Sequence, residues 1–92
     1  MRHAGTETIR QLEPLLVRLR AIDGLVERRP GIFYRDSRAF LHFHEDPTGV
    51  FADIRLDGIE FERVAVTDDA FEAIARRVAL AVERSPARRT GR

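Results

Sequence analysis

Apolar residues recur at intervals of three and four positions near each end of the chain, the spacing of amphipathic helices. The first stripe consists of Ile9, Leu12, Leu15, Leu16, Leu19 and Ile22, and the second of Phe71, Ile74, Ala75, Val78, Ala79 and Val82. Pro14 interrupts the first stripe, so the helix either kinks there or begins at Pro14. Asp23 and Gly24 supply its stop. Thr67 is the predicted cap of the second helix, and Ser85 and Pro86 end it.

Between residues 25 and 66 the apolar period falls to two, which is typical of strands with one buried face. The predicted strands are Ala39–Glu45, Val50–Leu56 and Ile59–Val66, with a further strand in Val26–Tyr34 that Pro30 and Gly31 would interrupt. Turn residues at Asp46–Gly49 and Asp57–Gly58 join the last three. The expected fold is α+β: a two-layer sandwich of a helix, an antiparallel meander of three or four strands and a helix, with both helices on one face. Residues 1–86 form the single domain, and 87–92 a disordered basic tail.

The turn lengths predict how neighbouring strands pair. A four-residue loop at Asp46–Gly49 sets His42 opposite Asp53, and a two-residue turn at Asp57–Gly58 sets Asp53 opposite Glu62. On this register His42, Asp53 and Glu62 form one row across the outer face of the sheet, away from the helices. The adjacent row consists of His44, Phe51 and Val64.

This register suggests a metal site on the outer face. Imidazole nitrogens and carboxylate oxygens on adjacent strands can reach a single ion, so His42, His44, Asp53 and Glu62 are the candidate ligands of a divalent metal such as zinc. Binding would also relieve the repulsion between Asp53 and Glu62. The alternative interpretation is a solvated sheet face with no cofactor.

Apolar residues on the same face suggest an interface. Phe40 and Phe51 are expected there and, with Val64 and Val66, would form an exposed patch of the kind that marks a homodimer or an unknown protein partner. His42 oriented by Asp53 could act as a base, but the pattern supplies neither a nucleophile nor a concave site. The sequence therefore favours a small, non-enzymatic interaction or assembly module, with metal binding as the alternative.

Composition narrows the chemistry further. The 92 residues include 16 basic side chains, all of them arginine, which excludes lysine Schiff bases. The chain has no cysteine, which excludes disulfides and thiolate ligands. The acidic excess of residues 1–83 argues against nucleic acid as a partner, although the tail carries Arg84, Arg88, Arg89 and Arg92. No run of 18 apolar residues and no apolar leader is present, so we expect a cytoplasmic protein without a membrane partner.

Two segments carry a resemblance to known proteins. Residues 29–35 (RPGIFYR) and 38–46 (RAFLHFHED), continuing through 51–55 (FADIR), resemble a group of small hypothetical proteins from GC-rich bacteria. The predicted order of helix, meander and helix is also similar to the frataxin-like fold, in which iron handling relies on an acidic ridge along the first helix. Here that helix offers Glu7 and Glu13 among several arginines, so the resemblance implies an element order and carries over no functional residue.

Overall fold

Helices and strands account for most of residues 2–84, the part of the chain that the computed structural model describes. The strands are β1 (Arg2–His3), β2 (Val26–Arg29), β3 (Ile32–Arg35), β4 (Arg38–Asp46), β5 (Gly49–Ile54) and β6 (Glu62–Ala65). The helices are α1 (Thr6–Gln11), α2 (Glu13–Arg20) and α3 (Phe71–Arg84), the last preceded by a 3-10 turn at Asp68–Ala70. The predicted α+β class is confirmed. The predicted tail at 87–92 and the helix stop at Ser85 and Pro86 lie outside the described residues.

The antiparallel sheet has the order β2-β3-β4-β5-β6. β1 pairs with the part of β4 that β3 leaves free, and His3 lies opposite His44. The sheet is thus larger than the predicted meander for two reasons. Pro30 and Gly31 form a turn that divides the segment Val26–Tyr34 into β2 and β3, and the first residues of the chain supply a strand for which no pattern was visible.

The first helical stripe is divided at Leu12 into α1 and α2. Pro14 lies in the first turn of α2, where its missing N–H would have had no partner within the helix in any case. The Leu12 amide still bonds the Thr8 carbonyl at 3.1 Å, and the Leu16 amide bonds the Leu12 carbonyl at 2.9 Å. The chain therefore combines the two predicted alternatives: it bends, and a new helix begins beside Pro14.

The hydrophobic core lies between the helices and one face of the sheet. Leu15, Leu16 and Leu19 of α2 and Ile74 and Val78 of α3 are buried there, and the sheet contributes Phe33, Leu41, Phe43, Ala52 and Ile54. Because side chains alternate along a strand, the residues that directly follow Leu41, Phe43 and Ala52 in β4 and β5 point to the opposite, outer face of the sheet. No helix within residues 2–84 is long and apolar enough to cross a membrane.

The predicted register of β4 and β5 is confirmed. His42 pairs with Asp53, Phe43 with Ala52, and the ladder reaches one pair beyond the prediction, to Asp46 and Gly49. Asp46 Oδ1 accepts hydrogen bonds from the Thr48 amide at 2.8 Å and the Thr48 hydroxyl at 2.6 Å, which closes the turn. This pairing places His42, His44, Phe51 and Asp53 on the outer face.

The predicted register of β5 and β6 is wrong by one residue. Asp53 pairs with Arg63 and Ile54 with Glu62, because residues 55–61 form a longer loop instead of a two-residue turn at Asp57–Gly58. A shift of one residue exchanges the two faces of a strand. Arg63 therefore lies on the outer face where Glu62 was expected.

The side chains of Asp57 and Arg55 explain the longer loop. Asp57 Oδ1 accepts hydrogen bonds from the amides of Ile59 at 2.8 Å and Glu60 at 3.0 Å, so these amides bond a local carboxylate instead of a facing strand. Arg55 donates from Nη1 to the Ile59 carbonyl at 2.5 Å and from Nε to the Ala39 carbonyl at 2.7 Å. These bonds fold the loop back towards β4.

A β-bulge moves Phe40 out of its predicted position. Tyr34 pairs with Ala39 while Phe33 pairs with Leu41, so Phe40 is the extra residue on β4. Such a bulge interrupts the alternation of faces, and Phe40 is only 5% exposed and belongs to the hydrophobic core. The prediction that Phe40 lies exposed on the outer face is wrong.

Glu27 joins α2 to the β2–β3 turn and predicts a pH dependence of stability. Its carboxylate accepts hydrogen bonds from Arg20 Nε at 2.5 Å and from the Gly31 amide at 2.9 Å, and the Arg20 bond is the main cause that lowers the pKa of Glu27 below 4.5. A lowered pKa adds stability at neutral pH that is lost as the pH falls below about 4.5. We expect Glu27→Gln to cost about 1 kcal/mol at pH 7, with the difference from wild type shrinking towards pH 4, in urea denaturation.

Glu13→Gln is the matched control, because Glu13 bonds the same Arg20 from an exposed position at 2.8 Å. We expect it to cost less than about 0.5 kcal/mol. An equal cost for the two variants, or a cost for Glu27→Gln that does not depend on pH, would contradict the role given to Glu27.

Candidate metal centre

Three histidines converge on the outer face of the sheet. His42 and His44 are two residues apart on β4 and therefore share a face, and His3 lies directly opposite His44 on β1. One nitrogen from each ring lies within 4.8 Å of the others. The topology thus gathers every histidine of the chain, including the distant His3, into one cluster.

The three rings differ in orientation. His3 stacks on His44 with 5.1 Å between ring centroids and 28° between planes, while His42 meets His44 edge-on at 4.6 Å and 80°. His3 and His42 lie 5.9 Å apart with their planes tilted by 55°. The three rings therefore do not form one parallel stack, although one nitrogen of each lies near the others.

His42 has an unusual environment for a histidine on an outer face. It is half-buried, and the Phe61 ring packs edge-on against it at 4.9 Å. Burial, helped by the nearby His44, lowers the pKa of His42 below 6.5, although Asp53 acts in the opposite direction. Its Nδ1 atom is buried without a hydrogen-bond partner among residues 2–84. At neutral pH His42 is therefore an uncharged imidazole with an unsatisfied nitrogen, the form that binds metals.

Asp53 lies behind His44 and is itself buried, with 9% exposure. Its Oδ2 is 3.1 Å from His44 Nε2, and its Oδ1 accepts a hydrogen bond from Arg63 Nε at 3.0 Å. Burial alone would raise the pKa of Asp53, but Arg63 and then His44 outweigh it and keep the pKa below 3.8. A carboxylate on one ring nitrogen orients the ring. The Asp53 contact at Nε2 leaves Nδ1 of His44 for an ion.

Glu45 fastens the N-terminal segment to β4. Its Oε2 accepts a hydrogen bond from the Gly5 amide at 2.6 Å, and its Oε1 accepts one from the Thr8 hydroxyl at 2.6 Å. These bonds, that of Thr8 first, lower the pKa of Glu45 below 4.5. A carboxylate of β4 thereby holds the residue before α1 and a side chain of α1 itself. His3 lies immediately before this attachment.

The structure brings together two of the four predicted ligands, His42 and His44. Asp53 is beside them but contacts His44 and Arg63. Glu62 lies on the other face of β6, where its Oε2 accepts a hydrogen bond from Arg77 of α3 at 3.0 Å. The sequence analysis missed His3, because a two-residue strand is too short to show a period.

The predicted apolar patch does not form as a set. Phe40 and Val66 are buried with 5% and 7% exposure, and Val64 packs partly buried against the core. The shifted register of β6 explains why the two valines are turned towards the core, and the bulge explains why Phe40 is buried. Phe51 alone of the four keeps its expected place on the outer face, opposite His44 and partly exposed.

Comparison of the chain with protein-family models, with curated proteins and with solved structures gives no match. Imidazole nitrogens suit zinc, copper and nickel, whereas magnesium and calcium prefer oxygen ligands. A cluster of three imidazoles, one of which has a carboxylate on its other nitrogen, is consequently suited to a divalent transition metal.

Proposed function

We propose that this protein binds a divalent transition-metal ion, with Zn²⁺ as the first candidate, through His3, His42 and His44. The observation that carries the proposal is the convergence of one nitrogen from each ring within 4.8 Å. Two nitrogens bound to the same tetrahedral zinc lie roughly 3.3 Å apart, so adjustments of about 1–2 Å in side-chain position would close the site.

The unsatisfied Nδ1 of His42 supports the same conclusion. A buried polar atom without a partner costs free energy, and a metal ion would remove that cost by accepting the lone pair of the uncharged ring. The Asp53 carboxylate contacts Nε2 of His44, and a metal-binding histidine usually has such a partner on its other ring nitrogen. Each of these features is unremarkable alone, and metal binding accounts for them together.

The donor set also bears on the kind of site. Three protein ligands leave one tetrahedral position for water or an outside ligand, unlike the closed four-ligand sites that serve only structure. Thiolate ligands are excluded because the chain has no cysteine. A cytoplasmic location is part of the proposal.

Zinc is expected to stabilise the folded protein. At a free zinc concentration 100 times the Kd, binding adds about 2.7 kcal/mol to the free energy of unfolding, which corresponds to a rise in Tm of roughly 10–20 °C for a domain of this size. Thermal denaturation followed by circular dichroism, with EDTA to reverse the shift, measures this. Mg²⁺ is the control and should leave the Tm unchanged. An unchanged Tm with Zn²⁺, Ni²⁺ and Co²⁺ alike would refute the proposal.

A further inference from the structure

The three histidines are not held equally firmly. His42 and His44 belong to β4, which pairs on both sides and lies in the middle of the sheet. His3 belongs to a strand of two exposed residues. Arg2 and Gly5 beside it are exposed and only Ala4 is partly buried against the core, so hydrogen bonds to β4 carry much of the attachment of His3.

We propose that Glu45 is a positioning residue for the metal centre: by binding Gly5 and Thr8 it holds β1 against β4 and so delivers His3 to the ion. This inference rests on the proposed function. Both carboxylate oxygens take part, one on the Gly5 amide and one on the Thr8 hydroxyl, each at 2.6 Å. Glu45 is thus bonded to Gly5, in the junction between β1 and α1, and to Thr8 within α1.

The other attachments of this segment are few. The Ala4 amide bonds the Phe43 carbonyl at 3.2 Å, and Arg2 and His3 pair with Glu45 and His44 in the ladder. Arg2 Nη2 lies 3.8 Å from Glu45 Oε2, which adds an exposed ion pair. Without the Glu45 carboxylate the segment would gain backbone freedom that zinc binding must then remove. The loss of zinc affinity on removal of the Glu45 carboxylate should therefore depend on the presence of His3.

A double-mutant cycle between Glu45 and His3 tests this route. The variants are Glu45→Ala, His3→Ala and the double variant, and the readout is the Kd for Zn²⁺ from isothermal titration calorimetry. We expect Glu45→Ala to raise the Kd about 10-fold in the wild-type background and less than about 2-fold in the His3→Ala background, because His3 no longer contributes there.

Asp46→Ala is the matched control. It removes the same charge one residue further along β4, but the Asp46 carboxylate bonds Thr48 within its own turn and makes no hydrogen bond to residues 2–8. We expect it to change the Kd less than about 2-fold, which separates positioning from the simple loss of a negative charge near a cation. Should Glu45→Ala fail to fold, Thr8→Val removes one of the two bonds and should give a smaller loss that again depends on His3.

The outcomes separate the two proposals. An equal loss in both backgrounds, or no loss in either, overturns the role of Glu45 while leaving metal binding intact. Absence of zinc binding in the wild-type protein instead refutes the proposed function, and the cycle is then not needed to reject the positioning role.

Discussion

Replacement of His42 by alanine is expected to raise the Kd for Zn²⁺ by more than about 100-fold. Loss of a group that only hydrogen-bonds a metal ligand typically lowers metal affinity by about 10–100-fold, and His42 is itself a proposed ligand. His42 supplies one of three nitrogens, and it is the ring whose Nδ1 lacks any partner among the described residues. Calorimetric titration at pH 7.5 measures the effect, and circular dichroism without metal verifies that the variant is folded.

Glu62→Gln is the sharpest control for this experiment. The pairing predicted from sequence made Glu62 a ligand beside His42, whereas the structure places its carboxylate on Arg77. We expect Glu62→Gln to change the Kd less than about 2-fold, the scale of an exposed charge at some distance. A large loss for Glu62→Gln would favour the predicted ligand set over the observed one, whereas little loss for His42→Ala would contradict both, because His42 belongs to each.

The part of the site that could be predicted lies in a strand with strict alternation. Leu41, His42, Phe43 and His44 alternate apolar and polar, so a buried face and an outer face follow directly from the sequence. The turn at Asp46–Gly49 then fixed the pairing with β5, and His42 was correctly set opposite Asp53. Local chemistry and the hydrophobic pattern agreed along this hairpin.

The prediction of the next hairpin was wrong because a side chain bonds backbone amides that would otherwise pair with the facing strand. Asp57 and Gly58 are a strong signal for a two-residue turn, but Asp57 instead bonds the amides of Ile59 and Glu60, and Arg55 holds the resulting loop. A prediction from sequence pattern depends on residue types and does not include such specific bonds. Because of the resulting one-residue shift, Arg63 lies opposite Asp53 where Glu62 was predicted.

His3 could not be found by the same reasoning. Its position depends on pairing between the start of the chain and residues some forty positions away, fixed by the Glu45 carboxylate. Neither periodicity nor a turn signal connects these segments. The third candidate ligand therefore becomes visible only when the chain is folded.

Phe40→Ala is expected to lower the free energy of unfolding by about 3–5 kcal/mol, the cost of removing a buried aromatic ring from a packed core. For a domain of this size, with a total stability of about 5–10 kcal/mol, that is a large share. The reason is the bulge that turns Phe40 into the core, where it is 5% exposed. Urea denaturation followed by circular dichroism measures the change.

Phe51→Ala provides the comparison with the same chemical change on the outer face. Phe51 is partly exposed opposite His44, so its truncation should cost about 1–2 kcal/mol and leave the fold intact. The pattern of alternation assigned the two phenylalanines to the same surface and therefore predicts equal, small costs. A bulge predicts a cost at Phe40 at least twice that at Phe51. Equal costs would mean that Phe40 is exposed after all, as the pattern of alternation predicts.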